Sequence, residues 1–205
     1  MPSVTQVLDY SSPPQLTNWF KNNSKAKCEQ IGQHTANIGK KVDLLVQQDI
    51  SEGKYSLPVI DLAVASCMRG WEQCKKDHPQ FVTSISSMQT ELKLDEIVGH
   101  PDFINKSAEE WGITDLKCTS GIRDKNWIQV GKYAQMYMKL NDLSLPAFLR
   151  VIRLQRDSDL YEWLEITDPA LIRYCMFMFD HYLAVFNNER MLKEHFRHRL
   201  EDEIL

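Results

Sequence analysis

Apolar residues recur at steps of three and four along most of the chain, which is the spacing of helices that pack through one face. Ser24 can cap a helix that runs to about residue 49, with its apolar or small positions at Cys28, Ile31, Thr35, Ile38, Val42 and Leu45. Pro58 stands where a first-turn proline belongs, so a second helix is predicted from there to about His78, just before Pro79.

The same spacing predicts helices in the second half of the chain. One covers 124–140, and Ser144 and Ser158 can cap two more that end near Arg156 and Glu165. A strongly apolar helix begins near residue 168, and Asn187-Asn188 separates it from a last amphipathic helix. Residues 81–88 fit either a short helix or a strand. The pattern therefore predicts an all-α fold, a compact bundle of about eight helices with short connections.

The breaks in this pattern suggest how the chain is divided. Ser11-Ser12-Pro13-Pro14 interrupts any regular element, so residues 1–13 are predicted to be a loose N-terminal arm. Residues 14–205 are predicted to form a single all-α domain, and two lobes, 14–116 and 117–205, are the alternative.

Composition excludes several classes of protein. The chain has 205 residues, of which 43% are hydrophobic and 25% charged, so it is folded rather than intrinsically disordered. No secretory leader and no membrane span is recognisable, and five scattered cysteines never form a Cys-x-x-Cys pair. These features predict a cytoplasmic or nuclear protein that is not secreted and has no membrane partner.

Charge is unevenly distributed along the chain. Residues 117–156 contain 8 basic and 2 acidic side chains. Residues 58–116 before them contain 5 basic and 10 acidic ones, and residues 157–205 after them contain 5 and 11. A mildly acidic protein thus carries one concentrated basic segment, which we call the basic segment 117–156.

Aromatic residues are interleaved with these cations, a combination that suits nucleic acid because cations neutralise phosphates and aromatic rings stack on unpaired bases. Read as a helix, Arg150, Arg153 and Arg156 form a ridge along one side that can follow a phosphate backbone. Single-stranded RNA is favoured, since no motif that reads duplex DNA is recognisable. The candidate nucleic-acid-binding residues are Lys117, Arg123, Lys125, Trp127, Lys132, Tyr133, Tyr137, Lys139, Arg150, Arg153 and Arg156.

The main functional prediction is therefore a non-enzymatic helical binding protein that engages RNA or another polyanion, as a nucleoprotein or a viral RNA-sequestering protein does, and that can form a homo-oligomer. Internal pairing of the basic segment 117–156 with the acidic segments is an alternative use of its charge, and so is an acidic protein partner. A second functional hypothesis is a protein–protein adaptor or scaffold that docks through helix 24–50 or the C-terminal helix.

The third hypothesis is an enzyme whose site is assembled from distant helices. Glycine-rich phosphate loops and the common hydrolase signatures are absent from the sequence, so no cofactor, metal ligand or catalytic residue is predicted. Cys118, with Lys117 and Arg123 nearby, has the surroundings of a reactive thiol, but no base accompanies it. Two weaker groups with metal-ligand side chains are Cys67, Cys74 and His78, and the C-terminal set His195, His198, Glu201 and Asp202.

Overall fold

The computed structural model describes residues 1–9, 22–56 and 61–202, without the side chains of residues 194 and 196–202. Its described helices are α1 (Val4–Asp9), α2 (Lys25–Glu52), α3 (Leu62–Asp77), α4 (Pro79–Ser84), α5 (Asp124–Leu140) and α6 (Pro169–Asp202). Its described strands are β1 (Ile85–Met88), β2 (Leu92–Leu94), β3 (Ile97–Gly99), β4 (Phe103–Lys106), β5 (Trp111–Lys117), β6 (Phe148–Leu154) and β7 (Tyr161–Ile166). The fold is α/β, and the predicted all-α bundle of about eight helices is wrong.

A mixed five-stranded sheet in the order β1-β4-β5-β6-β7 forms the centre of the molecule, and β2 and β3 form a separate hairpin. Strands β5 and β6 are parallel, whereas the other neighbours in the large sheet are antiparallel. Parallel neighbours need a long crossover connection, and α5 supplies it, so β5, α5 and β6 form a βαβ unit. The boundary between the two predicted lobes, at residues 116 and 117, falls inside β5.

Two apolar cores cover the two faces of this sheet. The first contains buried side chains of α1, α5 and α6 together with Ile113 of β5 and Leu149 and Val151 of β6. The second contains side chains of α2, α3 and α4 together with Leu116 of β5 and Ile152 of β6. Because side chains alternate across a strand, β5 and β6 contribute to both cores and are covered on both sides.

Helices α2 and α5 confirm the predictions made from spacing and capping. Ser24 caps α2 by accepting a hydrogen bond from the Lys27 backbone N–H, and Gly53 ends the helix in the left-handed conformation. Ile38, Val42 and Leu45 of the predicted seam are buried, whereas Ile31 is 43% exposed. The C-terminal half of α2 therefore packs inside the protein, on α3.

The helices predicted at 144–156 and 158–165 are wrong, because these residues form β6 and β7. Strand β6 reads Phe-Leu-Arg-Val-Ile-Arg-Leu and is buried on both faces, so its apolar residues do not alternate cleanly with polar ones. Its arginines are three residues apart, which also fits one side of a helix. In the strand, Arg150 and Arg153 point to opposite faces of the sheet.

The two ends of the described chain also differ from the sequence-based expectation. In the predicted loose arm, residues 4–9 form α1, whose Val4, Val7 and Leu8 are buried in the first core; residues 10–13 lie outside the described residues. Helix α6 continues through Asn187-Asn188, where a break was predicted. No helix in the described residues combines the length and the apolar character needed to cross a bilayer.

Helix α5 approaches α6 closely at Gly131, which yields a first prediction. A Cβ atom added to Gly131 would lie 2.5 Å from the carbonyl carbon and 2.7 Å from the carbonyl oxygen of Cys175, whereas nothing lies within 4 Å of a Cβ at Gly39 of α2. Gly131→Ala is expected to lower the free energy of unfolding by about 1–3 kcal/mol. Gly39→Ala, the matched control, should raise it by about 1 kcal/mol through helix propensity. Urea unfolding measures both, and a shift in the same direction for the two variants would contradict the close packing.

Candidate active site

The carboxyl end of β5 carries two charged side chains inside the protein. Asp115 and Lys117 share a strand face because they are two residues apart. Asp115 is 2% exposed, and its Oδ2 lies 2.5 Å from Lys117 Nζ. The two atoms form a close ion pair, which compensates the charge of Asp115 inside the protein.

Asp102 is held beside the same strand end. It precedes β4, the neighbour of β5, and its Oδ2 accepts a hydrogen bond of 2.7 Å from the backbone N–H of Leu116. Its Oδ1 accepts a hydrogen bond of 2.7 Å from the Gln89 side-chain amide. Two donors from different elements thus orient the carboxylate of Asp102 at the end of β5.

Helices on both sides of the sheet contribute further groups. Asp43 comes from α2 and is near enough to Asp115 and Lys117 for their charges to shift its pKa. Tyr133 of α5 is buried and interacts electrostatically with Asp115, and the Gln129 side chain donates a hydrogen bond of 2.8 Å to the Tyr133 hydroxyl. We call Asp43, Asp102, Asp115 and Lys117 the acidic cluster.

The acidic cluster has too little positive charge for its carboxylates. Burial and the charge of Asp115 raise the pKa of Asp43 to about 6, and Lys117 offsets part of this effect. Burial, Asp115 and Asp43 raise the pKa of Asp102 to about 8, against the opposing effects of Lys117 and the Leu116 N–H. Burial lowers the pKa of Lys117, but Asp115 and Asp102 outweigh it and raise that pKa above its usual range. Lys117 therefore stays charged at neutral pH, while the carboxylates compete for one cation.

Such an arrangement can bind a cation and stabilise negative charge. Three carboxylates face a single ammonium group, and carboxylate oxygens are the ligands that Mg²⁺ and Ca²⁺ prefer. As placed, no three His, Cys, Asp or Glu side chains of the described residues are close enough together to hold a metal ion. A metal ion would therefore have to draw the carboxylates of the acidic cluster together and displace Lys117 Nζ from Asp115 Oδ2.

The structure does not gather the basic segment 117–156 into one surface. Arg150 and Arg153 pair with Glu165 and Glu162, the residues opposite them on β7. The Arg150 guanidinium also lies between the rings of Phe148 and Trp163, at 4.0 and 4.1 Å from their centroids. This pairing across the two strands neutralises the charge of both arginines. It is the internal pairing that the charge distribution offered as an alternative.

The other predicted nucleic-acid-binding residues are dispersed. Lys132 is buried and contacts Gln135 and Asp180, and the Lys125 ammonium donates a hydrogen bond to the Leu8 carbonyl. The remaining members lie at several separate places: Lys117 and Tyr133 at the acidic cluster, Trp127 and Tyr137 against the first core, Arg156 in a hydrogen bond with Thr35, and Arg123 and Lys139 exposed at opposite ends of α5. Their binding of nucleic acid stays a prediction, but they share no continuous face.

Neither the thiol candidate nor the group of Cys67, Cys74 and His78 forms a site in the described residues. Cys118 is buried, and a hydrogen bond with Cys67 together with burial raises the pKa of Cys118, opposite to the activation expected from basic neighbours. Cys67 and Cys74 are buried on α3, whereas the His78 ring stacks on Trp163. The side chains of His198, Glu201 and Asp202 lie outside the described residues.

Sequence reasoning missed Asp43, Asp102 and Asp115 altogether. One signal was present: Asp115 and Lys117 are charged residues in alternate positions at the end of the apolar run that begins at Trp111. A charged pair inside a buried strand is costly to desolvate, so it is a candidate for a functional site. Lys117 was assigned instead to the basic segment 117–156, as a phosphate contact.

No family model and no curated protein matches the chain. Among solved structures, a protein described as SSO0001 has a TM-score of 0.42 and 13% identity, over 84% of this chain and 71% of that one. The alkaline exonuclease LHK-Exo from Laribacter hongkongensis has a TM-score of 0.38 and 15% identity, over 97% and 94%. A putative exonuclease from Eubacterium rectale has a TM-score of 0.37 and 12% identity, over 69% and 73%. Similarity this distant carries no functional argument, and only contacts within this chain can support a function.

The main functional prediction, a non-enzymatic helical RNA-binding protein, is wrong. The predicted helix with its arginine ridge does not form, because this region is occupied by β6 and β7. The predicted basic surface does not form either, because glutamates of β7 neutralise Arg150 and Arg153. The third hypothesis, an enzyme whose site is assembled from distant elements, describes the acidic cluster better.

The pKa of Asp102 predicts how stability changes with pH. The unfolded chain releases this proton near pH 4, but the folded protein keeps it until about pH 8, so the folded state binds more protons between these values. Stability should therefore fall as the pH rises from 6 to 8, by up to about 1.4 kcal/mol per pH unit. Asp102→Asn removes the titrating group and should flatten this fall in protein freed of divalent cations by EDTA.

The matched control is Asp159→Asn. Asp159 is an exposed carboxylate paired with Arg69, and this pairing lowers its pKa, so it does not titrate between pH 6 and 8. Thermal unfolding across this pH range compares the wild-type protein with both variants. Equal pH dependence in wild type and Asp102→Asn would show that Asp102 has no raised pKa.

Proposed function

We propose that this protein is a metal-dependent nuclease that hydrolyses phosphodiester bonds of a nucleic-acid strand at the acidic cluster. The observation that carries the proposal is the buried ion pair of Asp115 and Lys117 at the end of the central strand, with the carboxylates of Asp102 and Asp43 near enough to interact with it. Three carboxylates near one ammonium group are costly to bury, and a bound cation would reduce that cost.

The side-chain chemistry of the acidic cluster suits a divalent cation such as Mg²⁺, which would have to draw the carboxylates together. Asp43, Asp102 and Asp115 offer only oxygen ligands, and when all three are ionised their combined charge exceeds that of Lys117 by two. The raised pKa values of Asp43 and Asp102 report the same deficit of positive charge. Metal binding would therefore displace the proton that Asp102 holds at neutral pH and lower the pKa of Asp43 and Asp102.

When bound, the metal ion would polarise a phosphoryl oxygen and lower the pKa of a water molecule. Lys117 supplies a permanent positive charge at the same place, where negative charge develops on the phosphoryl group as the P–O ester bond breaks. Its raised pKa keeps it protonated, so it acts as an electrostatic group rather than as a general base. The reaction is hydrolysis. The oxygen of water bonds to phosphorus as the P–O ester bond breaks, water loses a proton, and the leaving ester oxygen receives one.

A nucleic-acid strand is the substrate that the surroundings favour. Asp43 lies on α2, and the exposed Lys40 lies three residues before it on the same helix, so a polyanion meets positive charge near the cluster. Gly39, one turn before Asp43, has open space in front of its Cα atom and leaves this face of the helix accessible. A small neutral substrate would make no use of either feature.

The test is cleavage of end-labelled oligonucleotides by the full chain with Mg²⁺ or Mn²⁺. Single-stranded DNA, duplex DNA and RNA are separate arms of the assay and report which strand is accepted. Cleavage should stop when EDTA removes the metal ion. Asp115→Asn and Lys117→Ala should each lower the rate by about a hundredfold or more, because each removes charge that the transition state requires.

Matched controls replace the same residue types elsewhere. Asp159→Asn and Lys93→Ala remove one partner of the exposed ion pairs Arg69–Asp159 and Glu91–Lys93, and both should cleave at the wild-type rate. Cleavage that survives in Asp115→Asn and Lys117→Ala, or no cleavage of any oligonucleotide by wild type with either metal, would overturn the proposal.

A further inference from the structure

Gln89 forms hydrogen bonds to Asp102 through both its backbone and its side chain. It follows β1, and its backbone N–H donates a hydrogen bond of 3.1 Å to the Asp102 carbonyl oxygen. Its side-chain amide donates a second hydrogen bond, of 2.7 Å, to Asp102 Oδ1. The two residues are 13 positions apart in the chain, so these contacts are made by the fold and not by local sequence.

The backbone of Gln89 is in an unfavourable conformation. Its φ angle is +47°, in the left-handed region. The other non-glycine residues with positive φ in the described part of the chain are Asp95, Asp142 and Asp159, and aspartate tolerates this region better than glutamine does. Glycine, asparagine or aspartate would satisfy the turn, so the turn alone does not call for a glutamine.

The side chain of Gln89 completes the support of the Asp102 carboxylate. The Leu116 N–H holds Oδ2 from β5, and Gln89 holds Oδ1 from the opposite side, so both oxygens have a fixed donor. An amide N–H has no charge to contribute, but it restricts the rotation of the carboxylate. Hydrogen bonds of this kind to metal ligands fix their orientation and raise metal affinity.

We propose that Gln89 is a positioning residue that holds the Asp102 carboxylate in the orientation in which it binds a divalent cation. This inference depends on the proposed metal-dependent activity of the acidic cluster. Pairing of β1 with β4 does not depend on the Gln89 side chain, since Ser87 and Met88 already pair with Ile104 and Phe103. Removing the side chain should therefore affect the cation and not the sheet.

The decisive variant is Gln89→Gly, because glycine adopts a positive φ angle readily and lacks only the amide. Its matched control is Asp95→Gly, at an exposed positive-φ position in the turn between β2 and β3. Affinity for Mg²⁺ is measured by calorimetry and by the rise in unfolding temperature on Mg²⁺ addition. Cleavage is measured as a function of Mg²⁺ concentration.

Gln89→Gly should bind Mg²⁺ about 10- to 100-fold more weakly than wild type, and its cleavage should need correspondingly more Mg²⁺. Its maximal rate at saturating Mg²⁺ should be retained, since Gln89 does not touch the reacting atoms. Gln89→Glu replaces the donor by a like charge and should weaken Mg²⁺ binding further. Asp95→Gly should match wild type in all three measurements.

The outcomes separate this inference from the proposed function. If wild type binds Mg²⁺ and cleaves, but Gln89→Gly has the same Mg²⁺ affinity, the positioning role is wrong and the nuclease proposal stands. A lower unfolding temperature without cation, combined with unchanged Mg²⁺ affinity, would also reject it and indicate a purely structural side chain. If wild type neither binds Mg²⁺ nor cleaves, both proposals are wrong.

Discussion

The position of β5 in the middle of the sheet determines most of what this protein can do. It is hydrogen-bonded on one side to β4 and on the other to the parallel strand β6, and both of its faces are covered by apolar cores. A strand in that position excludes water from its side chains, so any charge on it must find a partner. Asp115 and Lys117 form an ion pair with each other, and Asp102 and Asp43 lie near the same strand end.

Elsewhere in the sheet, charges are neutralised in pairs. Arg150 and Arg153 each face a glutamate on β7, and the stacked rings around Arg150 replace part of the water that its guanidinium loses. In each of these pairs one cation faces one carboxylate, so the charges cancel. The acidic cluster differs, since three carboxylates share the charge of Lys117. That imbalance is the observation on which the proposed cation binding rests.

Support for the acidic cluster comes from elements far apart in sequence. A helix from the first quarter of the chain provides Asp43, the turn after β1 provides Gln89, and the crossover helix α5 provides Gln129 and Tyr133. Close contact of α5 with α6 at Gly131 holds that crossover helix against the sheet. Geometry at the strand end thus depends on packing contacts that make no contribution to its charge.

The sequence by itself determined the elements whose signals are local. Helices α2 and α5 follow from their three-and-four spacing, and Ser24 and Gly53 mark the ends of α2 through hydrogen bonds within a few residues. Only the tertiary structure decided that 148–154 and 161–166 are strands: β6 is buried on both faces and has no alternation to reveal it, and β7 is a strand because it pairs with β6. The acidic cluster was beyond local reading for a related reason: its carboxylates lie at positions 43, 102 and 115 and become neighbours only when β4 pairs with β5 and α2 packs across the sheet. Spacing along the chain reports contacts within one element, whereas the energetic conflict among buried like charges exists only once the sheet has formed.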